Sequence, residues 1–177
     1  MLLTMRAYNE GCRAICGWVS RALDAERHST DPEQKQRATD FVALMTPVVK
    51  ALFTDLGFET ANLAVQVYGG HGYIAESGVE QYVRDARIAM IYEGTNGIQA
   101  LDLVGRKLPA HGGRYLRSFF HPISTFVEEN KDDATLAPMV QGLAQAFGAL
   151  QLSTATIAQK GLKDAEEAGA AATDYLR

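Results

Sequence analysis

An all-α fold is the class this sequence predicts, and three observations predict it. Apolar residues recur at three- and four-residue spacing along nearly the whole chain, strand-like alternation is almost absent, and no low-complexity linker or internal repeat interrupts the pattern. With 177 residues, 47% of them hydrophobic, the chain is long enough to bury a substantial core. The first helix is marked by Tyr8, Cys12, Ile15, Val19 and Ala22. Cys12 and Cys16 lie four apart and so share a face, which suits small, reduced, buried side chains. Without a His or Cys set elsewhere they make a poor zinc site, and one pair hardly staples a secreted fold.

A polar stretch from Glu26 to Gln36 follows, and inside it Asp31-Pro32-Glu33-Gln34 combines a capping side chain with a proline suited to the first helical turn. A second helix therefore starts there, carrying Phe41, Leu44, Val48, Leu52 and Leu56 inward. Pro47 removes one backbone donor and kinks this helix without ending it, because the periodicity continues beyond it. A third helix is expected over Glu59 to Val67, stopped by Gly69-Gly70, whose freedom at positive φ suits a helix end and lets backbone approach a ligand. Ser77-Gly78-Val79-Glu80 reads as a capping box opening a fourth helix, with Val79, Tyr82, Val83, Ala86 and Met90 inward. After a loop holding Glu93, a fifth helix runs from Asn96 to Leu108 with Ile98, Leu101, Val104 and Leu108 on its inner side, ending before Pro109 and Gly112-Gly113. From His111 onward, Leu116, Phe119, Ile123 and Val127, then Leu136, Val140, Leu143, Phe147 and Leu150, give two or three more helices. Two units are expected, 1–108 and a helical extension over 109–177. The chain opens in mid-helix and stops without a stop signal, as a piece of a longer polypeptide would.

Composition narrows the function classes. The net charge is −4, from 17 basic and 21 acidic residues, and no short segment is dominated by Lys or Arg, so neither nucleic acid nor an anionic lipid surface is an evident partner. No run of about 18 apolar residues suggests a membrane span, and the opening residues lack the pattern of a secretion signal, which makes cytoplasm the expected location. His71, His111 and His121 show no ligand spacing with carboxylates, so no metal site is expected.

Three patches carry the chemistry: Gln66-Val67-Tyr68-Gly69-Gly70-His71-Gly72-Tyr73, then Arg84-Asp85-Ala86-Arg87, then Ile91-Tyr92-Glu93-Gly94-Thr95-Asn96. Glu93 has two readings: a solvated carboxylate complementing the dipole of the next helix, or a general base whose pKa is raised by apolar walls from Met90, Ile91 and Tyr92. Thr95 and Asn96 are ordinary N-cap residues that need no ligand to explain them. The glycine cluster permits a tight turn and lacks the spacing of a dinucleotide or phosphate-loop fingerprint. Tyr73 reads as packing, and Arg84, Asp85 and Arg87 as exposed i, i+3 pairing.

Taken jointly, in order and at spacing, the patches resemble the C-terminal helical domain of the acyl-CoA dehydrogenases, with Gln66, Gly69, Gly70, Gly72 and Tyr73, then Arg84-Asp85, then Ile91 to Thr95, then Ile98-Gln99. The similarity runs from about the first helix to Leu108; the helical tail beyond it looks like the extension of the larger bacterial members, including those acting on sulfur-containing acyl thioesters. The resemblance implies FAD as cofactor, an acyl-CoA as substrate, an electron-transfer flavoprotein as acceptor and a homo-oligomer. It implies that Glu93 removes the proton next to the thioester carbonyl while a hydride passes to the flavin, giving a trans-2-enoyl-CoA. The Glu93 backbone N–H and a ribityl hydroxyl would stabilise the thioester oxygen, and Tyr92 and Gly94 would border substrate. Gln66, Gly69 and Gly70 would form a wall of the FAD site, commonly that of a neighbouring subunit, with Thr95 and Asn96 on its far side. The family's N-terminal helical and middle β-domains are missing, so the chain alone should not turn over. Two other readings stand beside this one: a catalytically inert helical interaction or oligomerisation module, and a piece of an acyl-CoA oxidase.

Overall fold

The computed structural model describes residues 1–177, and every regular element in it is helical. α1 spans Leu2–His28 and α2 spans Pro32–Tyr68. α3, Gly70–Tyr73, is a single turn; α4 covers Val79–Ala89 and α5 Asn96–Asp102. α6 covers Ala110–Asn130, α7 Ala137–Gly161 and α8 Ala165–Leu176.

α2 is the axis of the bundle, in contact with α1, α4, α5 and α6. It starts as the sequence requires: the Asp31 carboxylate accepts the Glu33 N–H at 3.0 Å with Pro32 in the first turn. It does not stop where expected. The break before Glu59 is absent and the separate third helix is the last part of one 37-residue helix, because nothing near Gly57 removes a backbone bond and α4 packs along it. Pro47 lies inside the helix, fully buried. α2 also contains an 18-residue window of mean hydropathy 1.5, so one stretch is apolar enough by length and composition to cross a bilayer, contrary to the sequence reading. Here only 28% of that window is buried, and the same helix carries Asp40, Lys50 and Asp55 in polar anchors.

Further departures have local causes. Ser77 caps nothing: Gly78, left-handed at φ 69°, precedes α4, and Glu80 leaves one carboxylate oxygen buried without a partner. Tyr82 points outward, 66% exposed, while Val79 is buried. On α5 the inner face is Ala100, Leu103 and Val104, and Ile98 and Leu101 are about half exposed, since the register is set by α2 and α8 on either side. α5 runs into one turn of π-helix over Leu103–Lys107, with the Leu108 N–H on the Leu103 carbonyl at 2.9 Å, and this wider turn re-aims the face. The break at Pro109 and Gly112-Gly113 is real: His111, Gly112 and Gly113 are all left-handed before the regular part of α6. Cys12 is half-buried and Cys16 exposed, because α1 covers α2 along one side only.

One core spans both halves of the chain. Leu44 and Ala51 from α2, Ala100, Leu103 and Val104 from the α5 region, Ile157 from α7, and Ala172 and Leu176 from α8 form a single buried cluster. Beside it, Trp18, Phe41 and Phe119 join α1, α2 and α6, with ring centroids 4.6 Å apart for Trp18–Phe41 and 5.8 Å for Trp18–Phe119. Two polar ties lock the later helices on. Arg114 forks the buried Asp40 carboxylate at 2.6 and 3.0 Å, while Gln36 adds a third donor at 2.9 Å, so the buried charge is paired and hydrogen-bonded. The Thr154 and Tyr175 hydroxyls meet at 2.7 Å between α7 and α8.

Candidate functional site

α4 ends at Ala89, and the chain reaches α5 through a bend that carries the acidic residue. Ile91 and Tyr92 N–H groups still return to the Ile88 carbonyl, at 3.0 and 3.2 Å. Then the backbone turns over: Glu93 sits at φ 54° and Gly94 at φ 83°. A left-handed conformation is uncommon for a residue with a long side chain, so it persists only where its surroundings enforce it. Three ties do so. The Asn96 N–H closes the bend on the Met90 carbonyl at 3.2 Å. The Gln99 amide donates to the carbonyls of Glu93 at 3.3 Å and Gly94 at 3.5 Å. Thr95 caps α5, its hydroxyl accepting from the Ile98 N–H at 3.4 Å.

A fourth tie is the Asn96 side chain, and here the structure departs from the cap the sequence allowed it. Thr95 is the N-cap, and Asn96 turns away from the open side into α2. Its amide nitrogen donates to Asp55 at 2.7 Å, faces the Thr54 hydroxyl at 3.0 Å and the Ala51 carbonyl at 3.3 Å. Its oxygen accepts from the Lys50 ammonium at 2.8 Å. Asp55 also lies 3.8 Å from the Arg177 guanidinium at the end of α8. Neither this cluster nor the role of Gln99 was foreseen; the only sequence signal was their short spacing from Glu93.

Glu93 itself is exposed, and its carboxylate enters no hydrogen bond or ion pair. Ile91 and Tyr92, at 46% and 52% exposure, do not wall it in, so this chain alone supplies no apolar pocket for it. Its N–H finds no acceptor within the chain. One residue thus presents a carboxylate and a free amide donor from the same bend.

The glycine bend is built differently. The Gly69 N–H closes α2 on the Gln66 carbonyl at 3.1 Å and turns at φ 62°. Gly72 packs so tightly under the end of α2 that an added Cβ would stand 2.5 Å from the Val65 carbonyl oxygen. Gly70 is the opposite case: a Cβ there would meet nothing within 4 Å. Gln66, Gly69 and Gly70 are all exposed, as are Tyr68, Tyr73 and Ile74 nearby. The structure does not bring this bend to Glu93. Between them in the chain runs α4, whose 11 residues alone are about 16 Å long. Of the Arg-Asp patch, Asp85 accepts from Gln81 at 2.8 Å, and Arg87 lies over the Phe58 ring, 5.9 Å from its centroid; the expected pairing among Arg84, Asp85 and Arg87 does not form. Two cavities lie elsewhere. One, of about 810 Å³, is lined by Asp40, Arg114 and His121, and the other, of about 510 Å³, by Leu101, Leu116 and Ile157.

The left-handed bend thus stands in an all-α unit with Ile88, Ile91 and Tyr92 exposed around it. Residues 1–108 match the model of the acyl-CoA dehydrogenase C-terminal domain, and residues 119–177 match that described as acetyl-CoA dehydrogenase C-terminal like. The chain belongs to the acyl-CoA dehydrogenase family. Among its relatives, a 3-methylmercaptopropionyl-CoA dehydrogenase of Ruegeria pomeroyi is 39% identical over 99% of this chain and 30% of its own length. A broad-specificity linear acyl-CoA dehydrogenase of Mycobacterium tuberculosis is 32% identical over 99% of this chain and 26% of its own length. A butyryl-CoA dehydrogenase of Syntrophomonas wolfei is 30% identical over 84% of this chain and 24% of its own length. The chain therefore spans less than a third of these relatives.

Proposed function

We propose that the chain is the C-terminal part of a FAD-dependent acyl-CoA dehydrogenase, in which Glu93 takes the proton next to the thioester carbonyl. The observation that carries this reading is the pairing of an unengaged carboxylate with an unengaged N–H on one enforced bend. The carboxylate accepts the proton from the α-carbon, and the N–H donates to the thioester oxygen as negative charge builds there. Such a preorganised donor is worth several kcal/mol more than mobile water, roughly 3–4 in measured oxyanion holes. Tyr92 and Gly94 border the substrate, and the absence of a side chain at Gly94 leaves the approach to the Glu93 backbone open.

The residues present fit the flavin: the exposed Gln66, Gly69 and Gly70 offer a wall free of side-chain bulk, and Thr95 lies beside Glu93. When bound, FAD supplies the hydride acceptor for the β-carbon, which leaves a trans-2-enoyl-CoA. About 16 Å of α4 between the two bends favours their serving different copies of the cofactor in a homo-oligomer, with Gln66 to Gly70 reaching a neighbouring subunit's FAD. The exposed Tyr68, Tyr73, Ile74, Ile88, Ile91 and Tyr92 support a covered interface on this side. Asn96, by contrast, reaches the site through its backbone and its hold on α2. An electron-transfer flavoprotein as acceptor and a cytoplasmic location complete the reading. The isolated chain holds one wall of the site and does not turn over, since catalysis needs flavin and substrate held at near-attack distance.

In a full-length acyl-CoA dehydrogenase containing this chain, Glu93→Gln is expected to abolish bleaching of the flavin by acyl-CoA, with a loss of at least about 10³-fold, while flavin content stays at wild-type level. Bleaching at the wild-type rate would reject Glu93 as the base. Oxygen uptake in place of reduction of the flavoprotein acceptor would move the enzyme to the oxidases.

A further inference from the structure

Asn96 occupies a position three residues beyond Glu93, yet its side chain reaches no part of the open site. Its amide is instead saturated by α2, with a cation on one side and an anion on the other. The Lys50 ammonium donates to its oxygen at 2.8 Å, and its nitrogen donates to the Asp55 carboxylate at 2.7 Å. Charges at both ends polarise the amide in the same sense and strengthen both bonds. Thr54 has a single hydroxyl hydrogen; given to the Lys50 carbonyl at 2.8 Å, it leaves the oxygen free to accept from Asn96 at 3.0 Å. The remaining contact, the Ala51 carbonyl at 3.3 Å, belongs to a residue with no exposed surface. Only an uncharged side chain with both a donor and an acceptor at this length satisfies the set. An aspartate would face Asp55, and an alanine would leave the donors and acceptors of α2 unmatched.

α5 has just seven residues, so its start is not held in place by its own ladder. What fixes it is Asn96 at one side and the shared core of Ala51, Ala100, Ala172 and Leu176 beneath. Gln99 then ties the Glu93 and Gly94 carbonyls back to α5. The bend thus inherits its placement from α2 through the Asn96 amide and the core beneath α5.

We infer that Asn96 is a positioning residue, setting the angle at which Glu93 is presented, and that Gln99 carries this placement to the bend itself. The inference rests on the reading of Glu93 as the base, and its test separates the two. In the flavin-loaded full-length enzyme, Asn96→Ala lowers kcat by about 10- to 100-fold with KM within about twofold, the scale on which a misplacement of about 1 Å acts. Thr154→Val, which removes the hydroxyl pair between α7 and α8, serves as the stability control and leaves kcat unchanged. Amide hydrogen exchange in the 177-residue chain provides the second readout: Asn96→Ala accelerates exchange at Tyr92 and Gln99, whose N–H groups bond the Ile88 and Thr95 carbonyls on the two flanks of the bend, and Thr154→Val does not. An Asn96→Ala enzyme with wild-type kcat beside an inactive Glu93→Gln enzyme overturns the inference and leaves the base in place. An equal fall in kcat in Thr154→Val reduces the effect to general destabilisation and overturns it as well. Should Glu93→Gln keep full turnover, the base reading fails first; unchanged exchange at Tyr92 and Gln99 in Asn96→Ala then overturns the positioning role too.

Discussion

The two glycine-marked bends look alike in the sequence and work in opposite ways. Around Gly69 to Gly72, Gly69 makes the turn at positive φ and Gly72 serves a close approach: the turn folds back on the end of α2, and Gly72 has the Val65 carbonyl oxygen where its side chain would be. Around Glu93 and Gly94 they serve a conformation: two successive residues are left-handed, and side chains of α5 and α2 hold them there. The first bend is held by contact along α2. The second is held by a few hydrogen bonds from its flanks, which makes it the easier one to displace and, on the proposed role of Glu93, the one whose displacement alters chemistry.

The largest effect on stability is therefore expected in the first bend. Gly72→Ala forces a Cβ to within 2.5 Å of Val65 O and 2.8 Å of Tyr68 Cβ, both belonging to α2 itself, so the turn must move. A cost of about 2–3 kcal/mol is expected, the scale of overpacking, or a fall in Tm of roughly 5–10 °C for a chain of this size. A melt that matches wild type would show that the turn yields freely and that the contrast between the bends is misdrawn.

Gly94→Ala should cost less. A left-handed alanine is unfavourable by about 1–2 kcal/mol, and the atom its Cβ would approach at 2.8 Å is the far end of Gln99, which can swing aside. When it swings, the bonds to the Glu93 and Gly94 carbonyls are lost. Urea unfolding of the variant should give a loss near that range. A larger loss, comparable to Gly72→Ala, would place Gly94 in the packing class.

How legible this was in the sequence follows the same division. Helix periodicity, the Asp31 cap and the break at Gly112-Gly113 were readable because each rests on residues within one turn of one another. The joining of the second and third helices was not, since no residue between them forces a stop and only packing of α4 along α2 decides it. Nor was the inner face of α5, where a turn of π-helix and a helix more than 60 residues away choose Ala100 and Leu103 over Ile98 and Leu101. In the site, motif order pointed to Glu93, while the partners of Asn96 lie more than 40 residues back on α2, beyond any local pattern. A short polar residue at a helix start reads as a cap whether it caps or not. Thr95 took that role, which freed Asn96 for another.

Gly70→Ala tests the comparison where it is finest. Within the chain Gly70 has no reason to be glycine: its φ is ordinary, and an added Cβ meets nothing within 4 Å. It opens the single turn α3, where alanine is if anything favoured over glycine by about 0.5–1 kcal/mol. The 177-residue chain carrying Gly70→Ala should therefore unfold within about 0.5 kcal/mol of wild type. If the bare surface at Gly70 is instead reserved for a flavin edge, as the proposed wall requires, the same substitution in the full-length enzyme lowers flavin content per protomer, while the melt of the isolated chain stays put. Loss of stability in the isolated chain would give Gly70 an internal role like that of Gly72. Full flavin content in the longer enzyme would remove it from the wall. The separation of the two readouts is what matters, because only a residue kept small for something outside its own chain can lose its ligand without losing its fold.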